Sequence, residues 1–181
     1  GGVGMIITGG ISPNIEAGMG AKLSTSEEAL QHKLITDAVH AADEDVKICM
    51  QILHSGPLAR NADAVAPSAV KSRIAPHTPV ELDAAGIEKQ ISDIVNCAAK
   101  AQEAGYDGVE VIGSAGYLLS TFLVEKTNQR TDEWGGSYEN RMRFPLEVMR
   151  RTREAVGPNF ILIFRIAAMD MLQGGMSWDE I

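Results

Sequence analysis

Apolar residues recur along this chain in two rhythms, short continuous runs and longer stretches with a helical period. Their alternation predicts strand, helix, strand, helix, strand, helix, strand. Met5 to Thr8 is a short β-rich run closed by Gly9 and Gly10. Ser24 and Glu27 stand at capping-box spacing ahead of Leu30, Leu34, Ala38 and Ala41, which predicts an amphipathic helix. Val46 to Leu53 is the second strand. Beyond a loop holding Pro57, Pro67, Pro76 and Pro79, the residues Ile87, Ile91, Ile94, Val95 and Ala98 mark a second helix that Gly105 ends. Val109 to Ile112 is the third strand. The third helix begins near Ser137, carries Met142, Leu146 and Met149 on one face and stops at Gly157 and Pro158; Pro145 predicts a kink or a later start. Phe160 to Ile166 is a fourth strand, apolar until Arg165.

Runs such as FILIF and GMIIT are apolar on both faces, as in parallel strands covered by helices, so the fold class is α/β with a parallel sheet. A doubly wound sheet and a closed (β/α)8 barrel compete. The first strand-to-helix loop lacks GxGxxG spacing, and the long polar connections (11–23, 54–82, 113–136, 167–176) all follow strands while the returns are short. That asymmetry favours a TIM barrel, of which four strands are about half. Residues 1–181 are therefore expected to form part of one barrel domain, truncated at both ends. The start on Gly1 and a second capping box, Ser177 to Glu180, just before Ile181 point the same way.

The formal charge of −8 disfavours a nucleic-acid partner. No apolar run approaches the roughly 20 residues of a membrane span, and the opening GGVGMIITGG lacks the basic start of a signal peptide. Cys49 and Cys97 are isolated in apolar segments, which suits buried thiols of a cytoplasmic protein and offers neither a disulfide framework nor a metal cluster. Chemistry concentrates in Val109 to Gly136, where a buried strand delivers the phenol of Tyr117 into a loop. The stretch from Lys126 to Gly136 is long and polar, with a composition unsuited to disorder.

The segments MQILHSG (50–56), GYLLSTFLVEKTNQRTDEWGGSYENRMRF (116–144) and FRIAAMD (164–170), in this order and at strand ends, resemble the FMN-dependent Old Yellow Enzyme superfamily of NADH:flavin oxidoreductases. Within it, QILH and the GS-x-GY pattern are similar to bacterial 2,4-dienoyl-CoA reductase. Ene reductases of the superfamily carry a His/His or His/Asn pair five and two residues before the tyrosine. Here those positions are Ile112 and Ala115, which cannot donate a hydrogen bond to a substrate oxygen.

The resemblance implies FMN as cofactor, NAD(P)H as electron source and a small unsaturated acceptor such as an acyl-CoA. It assigns Gly10, Gln51 and Arg165 to FMN, Gly10 through close backbone approach, Gln51 through its amide and Arg165 through its charge. Arg165 also stands where an ion pair with Asp170 is feasible. Tyr117 is the implied proton donor, and Lys126 matches a substrate-binding arginine. His54 reads as structural or pocket-lining, His32, His40 and His77 as surface or capping residues, and Asn128, Arg130 and Asp132 as loop braces. An iron–sulfur cluster and FAD belong only to a longer parent, and the piece alone is expected to be inactive.

Overall fold

The computed structural model describes residues 2–18 and 20–181. Six strands and four α-helices follow in order among the described residues: β1 (Met5–Ile11), α1 (Ser26–Ala42), β2 (Lys47–Ile52), β3 (Val65–Ala66), β4 (Val80–Glu81), α2 (Ala84–Glu103), β5 (Gly108–Gly113), α3 (Leu118–Leu123), α4 (Tyr138–Val156) and β6 (Ile161–Ile166). The main sheet has the order β1-β2-β5-β6, every pair parallel. Each new strand is added beside the last, so there is no reversal of order of the kind a doubly wound sheet needs. Right-handed crossovers then carry all the connecting helices to one side, and they meet in sequence, α1 against α2 and α2 against α4. This is the winding of a (β/α)8 barrel over four of its units.

The core lies between the sheet and α2. Ile87, Ile91, Ile94, Cys97, Ala98 and Ala101 descend one face of that helix onto Ile48, Met50 and Ile52 of β2 and Val109 and Val111 of β5, all at most 2% exposed. Burying aliphatic side chains on this scale is the dominant stabilising term, roughly 1.5–3 kcal/mol for each large one. Burial pushes the Cys49 thiol up to about 11, with Asp107 and Glu110 adding to the effect, and raises Cys97 as well. Both thiols are inert at neutral pH, as expected of buried cysteines. No helix among the described residues is long and apolar enough to cross a membrane.

Several local expectations are corrected. β1 does not close at Gly9 and Gly10 but runs through them to Ile11, with a register shift against β2 between Ile7 and Gly10. The capping box sits one residue later: Thr25 Oγ1 accepts from Glu28 N (3.2 Å), while Glu28 Oε2 accepts from Thr25 N (3.1 Å). Glu28 wins over Glu27 because it also pairs with Lys22 (2.5 Å). Leu30 and Leu34 of α1 are 65% and 69% exposed; its inward positions are Ala29 and Thr36. In α4 the inward face is Phe144, Val148, Thr152 and Val156, whereas Met142, Leu146 and Met149 flank an open groove beside Phe164. Pro145 neither delays nor breaks α4. Ser137 caps the helix eight residues before it, and Phe144 stacks on Phe122 at 4.1 Å between ring centroids. The small parallel pair β3–β4 and the short helix α3 lie in stretches the sequence pattern leaves as loop.

Candidate active site

Strand register decides which side chains meet at the C-terminal end of the sheet. Gly10 pairs with Gln51 and Gln51 with Glu110, while Arg165, two residues beyond Glu110's partner Ile163, pairs with Ile112. Since side chains alternate between faces, Gln51, Glu110, Ile112 and Arg165 share the face turned away from the helices that Val109 and Val111 pack against. Gln51 Nε2 donates to Glu110 Oε1 at 2.7 Å, and Arg165 Nη1 lies 3.8 Å from the same oxygen. A carboxylate only accepts, so the Gln51 amide is held with its nitrogen toward Glu110 and its oxygen free to accept elsewhere.

Glu110 is the member of this row that the motifs missed. Its signal was one charged residue, 7% exposed, inside the otherwise apolar and wholly buried strand VEVIG. The anticipated Arg165–Asp170 pair does not form: Asp170 Oδ2 accepts instead from the backbone N of Met176 at 2.8 Å, and the partner of Arg165 is Glu110. Gly10 lies near the end of β1, and a Cβ there would lie 2.8 Å from Leu53, so the missing side chain makes room for core packing.

Tyr117 stands at the same end of the sheet, after the turn that follows β5. Ala115 and Gly116 take positive φ (60° and 76°), Tyr117 N donates to Ser114 O at 3.3 Å, and Tyr117 becomes the N-cap residue of α3. All six residues of α3 are buried, and Leu118 N donates to His54 O at 3.0 Å, so the base of the tyrosine is fixed against the loop after β2. Gly56 makes this approach possible: its φ is +56°, and a Cβ would lie 2.8 Å from the backbone of Leu118. The Tyr117 side chain is half-buried and its hydroxyl has no hydrogen-bond partner among the described residues. Beside it Ala115 and Gly116 line a cleft of about 300 Å³ with Thr121, Thr127, Ala167 and Asp170. Lys126 is exposed beyond α3 and forms no ion pair among the described residues. The structure thus gathers Gln51 and Arg165 around Glu110, while Tyr117 and Lys126 make no hydrogen bond or ion pair to that row.

His54 is structural, as its position suggested. It is 2% exposed, its Nδ1 accepts from Gly56 N and its Nε2 donates to Gln90 Oε1, both at 3.0 Å. Gln90 Oε1 also accepts from Asn14, whose amide reaches Asp93 at 2.7 Å, so one neutral ring ties the loops after β1 and β2 to α2. Burial pushes His54 down to about 4, against the opposing pull of Gln90, Glu16 and Asp93. Because the unfolded chain takes up this proton near pH 6.5 and the fold refuses it until about 4, His54 contributes stability in full above 6.5. That contribution is lost as pH falls through the window, by at most roughly 3 kcal/mol. Denaturant titrations at pH 7.5 and 5 are expected to show this loss in the wild type and a flatter response in His54→Gln; equal slopes in the two proteins would reject the assignment.

The long loop is braced as expected. Asn128, 4% exposed, donates to the carbonyls of Phe122 and Trp134 at 2.8 Å each. Arg130 holds Asp132 in a two-pronged pair (3.0 and 2.6 Å), and its Nη1 donates to Pro67 O and Leu82 O at 2.9 and 2.5 Å. Gly135 has to be glycine, since a Cβ would lie 2.6–2.7 Å from Arg130 and from the Asn128 amide oxygen.

A singly wound parallel sheet with a polar row and long loops at the C-terminal strand ends is the arrangement of a (β/α)8 barrel, in which that face is where such barrels carry their sites. The model of the NADH:flavin oxidoreductase / NADH oxidase family matches residues 1–181, and the chain belongs to that family, the Old Yellow Enzyme superfamily its motifs resemble. It is 39% identical over 180 residues to a metal reductase of Desulforamulus reducens, covering 96% of this chain and 27% of the relative. It is 36% identical over 189 residues to an NADH oxidase of Thermoanaerobacter brockii, covering 99% and 29%. Among solved structures, a 2-naphthoyl-CoA reductase in complex with 2-naphthoyl-CoA superposes with a TM-score of 0.89 at 30% identity, over 99% of this chain and 30% of that one. The chain spans less than a third of the length of these relatives.

Proposed function

We propose that the protein containing this chain binds FMN against the Gln51–Arg165 row and uses electrons from NAD(P)H to reduce a conjugated C=C bond, the acceptor being an unsaturated acyl-CoA of the 2,4-dienoyl type. The observation that carries the cofactor is the row itself. An amide oxygen on Gln51 that has no partner among the described residues and a half-free guanidinium on Arg165 flank Glu110 on the two neighbouring strands, which fits the mixed N–H and C=O edge of an isoalloxazine. When bound, FMN supplies the hydride chemistry that no side chain can. The chain supplies the rest: Arg165 a fixed cation, Tyr117 a proton for the acceptor carbon, and Lys126 a charge at the rim for an anionic part of the substrate.

For the substrate, the apolar Ile112 and Ala115 stand where enone-binding relatives carry hydrogen-bond donors. The likeness to a 2-naphthoyl-CoA reductase supports a CoA thioester over a free enone. The full-length protein, supplied with FMN and NAD(P)H, is expected to consume 2,4-dienoyl-CoA with a higher kcat/KM than cyclohexenone. The reverse order would reject the thioester assignment. Lys126→Ala is expected to raise KM for the thioester about fivefold at low salt, with the difference shrinking as salt is added. An unchanged KM would remove Lys126 from the substrate contacts.

A further inference from the structure

Three charged or polar groups converge at the end of the sheet, and one of them opposes the role proposed for its neighbour. Arg165 is 59% exposed on its side chain and faces the space above the row, whereas the Glu110 carboxylate beneath it is 9% exposed and 3.8 Å away. A carboxylate is costly to keep on a central buried strand, and among the described residues Glu110 receives one hydrogen bond, from Gln51, and one loose cation in compensation. A glutamine there would keep the shape and the hydrogen-bonding capacity at lower desolvation cost. What the glutamate adds is negative charge, close to the cation and shielded from water, where charge is felt most strongly.

We propose that Glu110 offsets the charge of Arg165 and thereby holds down the redox potential of the bound cofactor, a proposal that rests on the FMN reading above. A positive site favours the more negative, reduced form of any cofactor it contacts, so Arg165 alone raises the potential and Glu110 lowers it. The carboxylate's single hydrogen bond also keeps Gln51 in its orientation, so the residue acts on the cofactor through both of its partners.

The test is an anaerobic redox titration of the full-length, FMN-loaded protein. Glu110→Gln is expected to favour reduced over oxidised FMN by about tenfold, which is a shift of about 30 mV to more positive potential for a two-electron couple. Arg165→Met is expected to move the potential the other way, and the double variant to return close to wild type. An unchanged or more negative potential in Glu110→Gln, with a lowered melting temperature, would make Glu110 a merely structural residue and overturn the proposal. If that variant does not fold, Glu110→Asp, which draws the carboxylate back by one methylene, is expected to give a smaller positive shift, and no shift overturns the proposal equally. A wild-type protein that takes up no FMN would instead overturn the cofactor reading.

Discussion

Tyr117→Phe in the full-length protein is expected to slow reoxidation by the unsaturated substrate by about 10²–10⁴-fold, roughly 3–5 kcal/mol of barrier, while leaving reduction by nicotinamide unchanged. The backbone of Tyr117 is pinned by Ser114 O and by the start of α3, so its ring is anchored, yet its hydroxyl is not engaged by any described group. A phenol fixed at its base and free at its tip can give a proton to a neighbouring carbon. If Tyr117 only packed, its loss would touch both half-reactions slightly. Stopped-flow traces in which both halves slow equally, or neither does, would remove it from the catalytic list.

Arg141→Met is expected to cost the fold about 3–5 kcal/mol. Arg141 is 3% exposed. Its Nε donates to Leu123 O (2.8 Å), its Nη1 to Gly136 O (2.8 Å) and Glu125 Oε1 (3.0 Å), and its Nη2 to Glu180. One guanidinium thus closes the C-terminal end of α3, the turn into α4 and the segment after β6. A methionine fills the space but leaves buried carbonyls without a donor, each of which costs roughly 1–3 kcal/mol. Lysine carries the charge without the planar fork and is expected to recover only part of the loss. A denaturation midpoint for Arg141→Met equal to wild type would show that these carbonyls find water instead.

The strands and long helices were legible because their signal is local: a β-branched run such as VEVI or FILIF, and an aliphatic stripe such as Ile87, Ile91 and Ile94, carry their own period. What the sequence could not say is which apolar face finds a partner. Leu30 and Leu34, or Met142, Leu146 and Met149, are apolar at helical spacing, yet they lie on flanks where a barrel ring continues to further helices. The capping box slipped by one because Ser24 and Thr25 both precede a glutamate at the right interval, and only the tertiary pairing of Glu28 with Lys22 decides between them. Helix α3 escaped because LLSTFL is buried all round and too short to show a period. Gln51 and Arg165 were singled out through a family motif. Glu110 was not, because a lone acidic residue inside a strand has no pattern; its meaning is the register that sets it beside Gln51.

The two-carbonyl grip of Arg130 has a consequence for how such loops can change. Pro67 and Leu82 belong to the connection after β2, Asn128 and Asp132 to the connection after β5, and one guanidinium serves both. Exchanging either loop alone for that of a relative leaves donors or carbonyls unmatched across the seam, whereas exchanging both together carries the match along. The two connections are therefore expected to transplant as a single cassette: a chimera that takes residues 54–82 and 124–137 from one donor is expected to fold where either half-exchange is impaired.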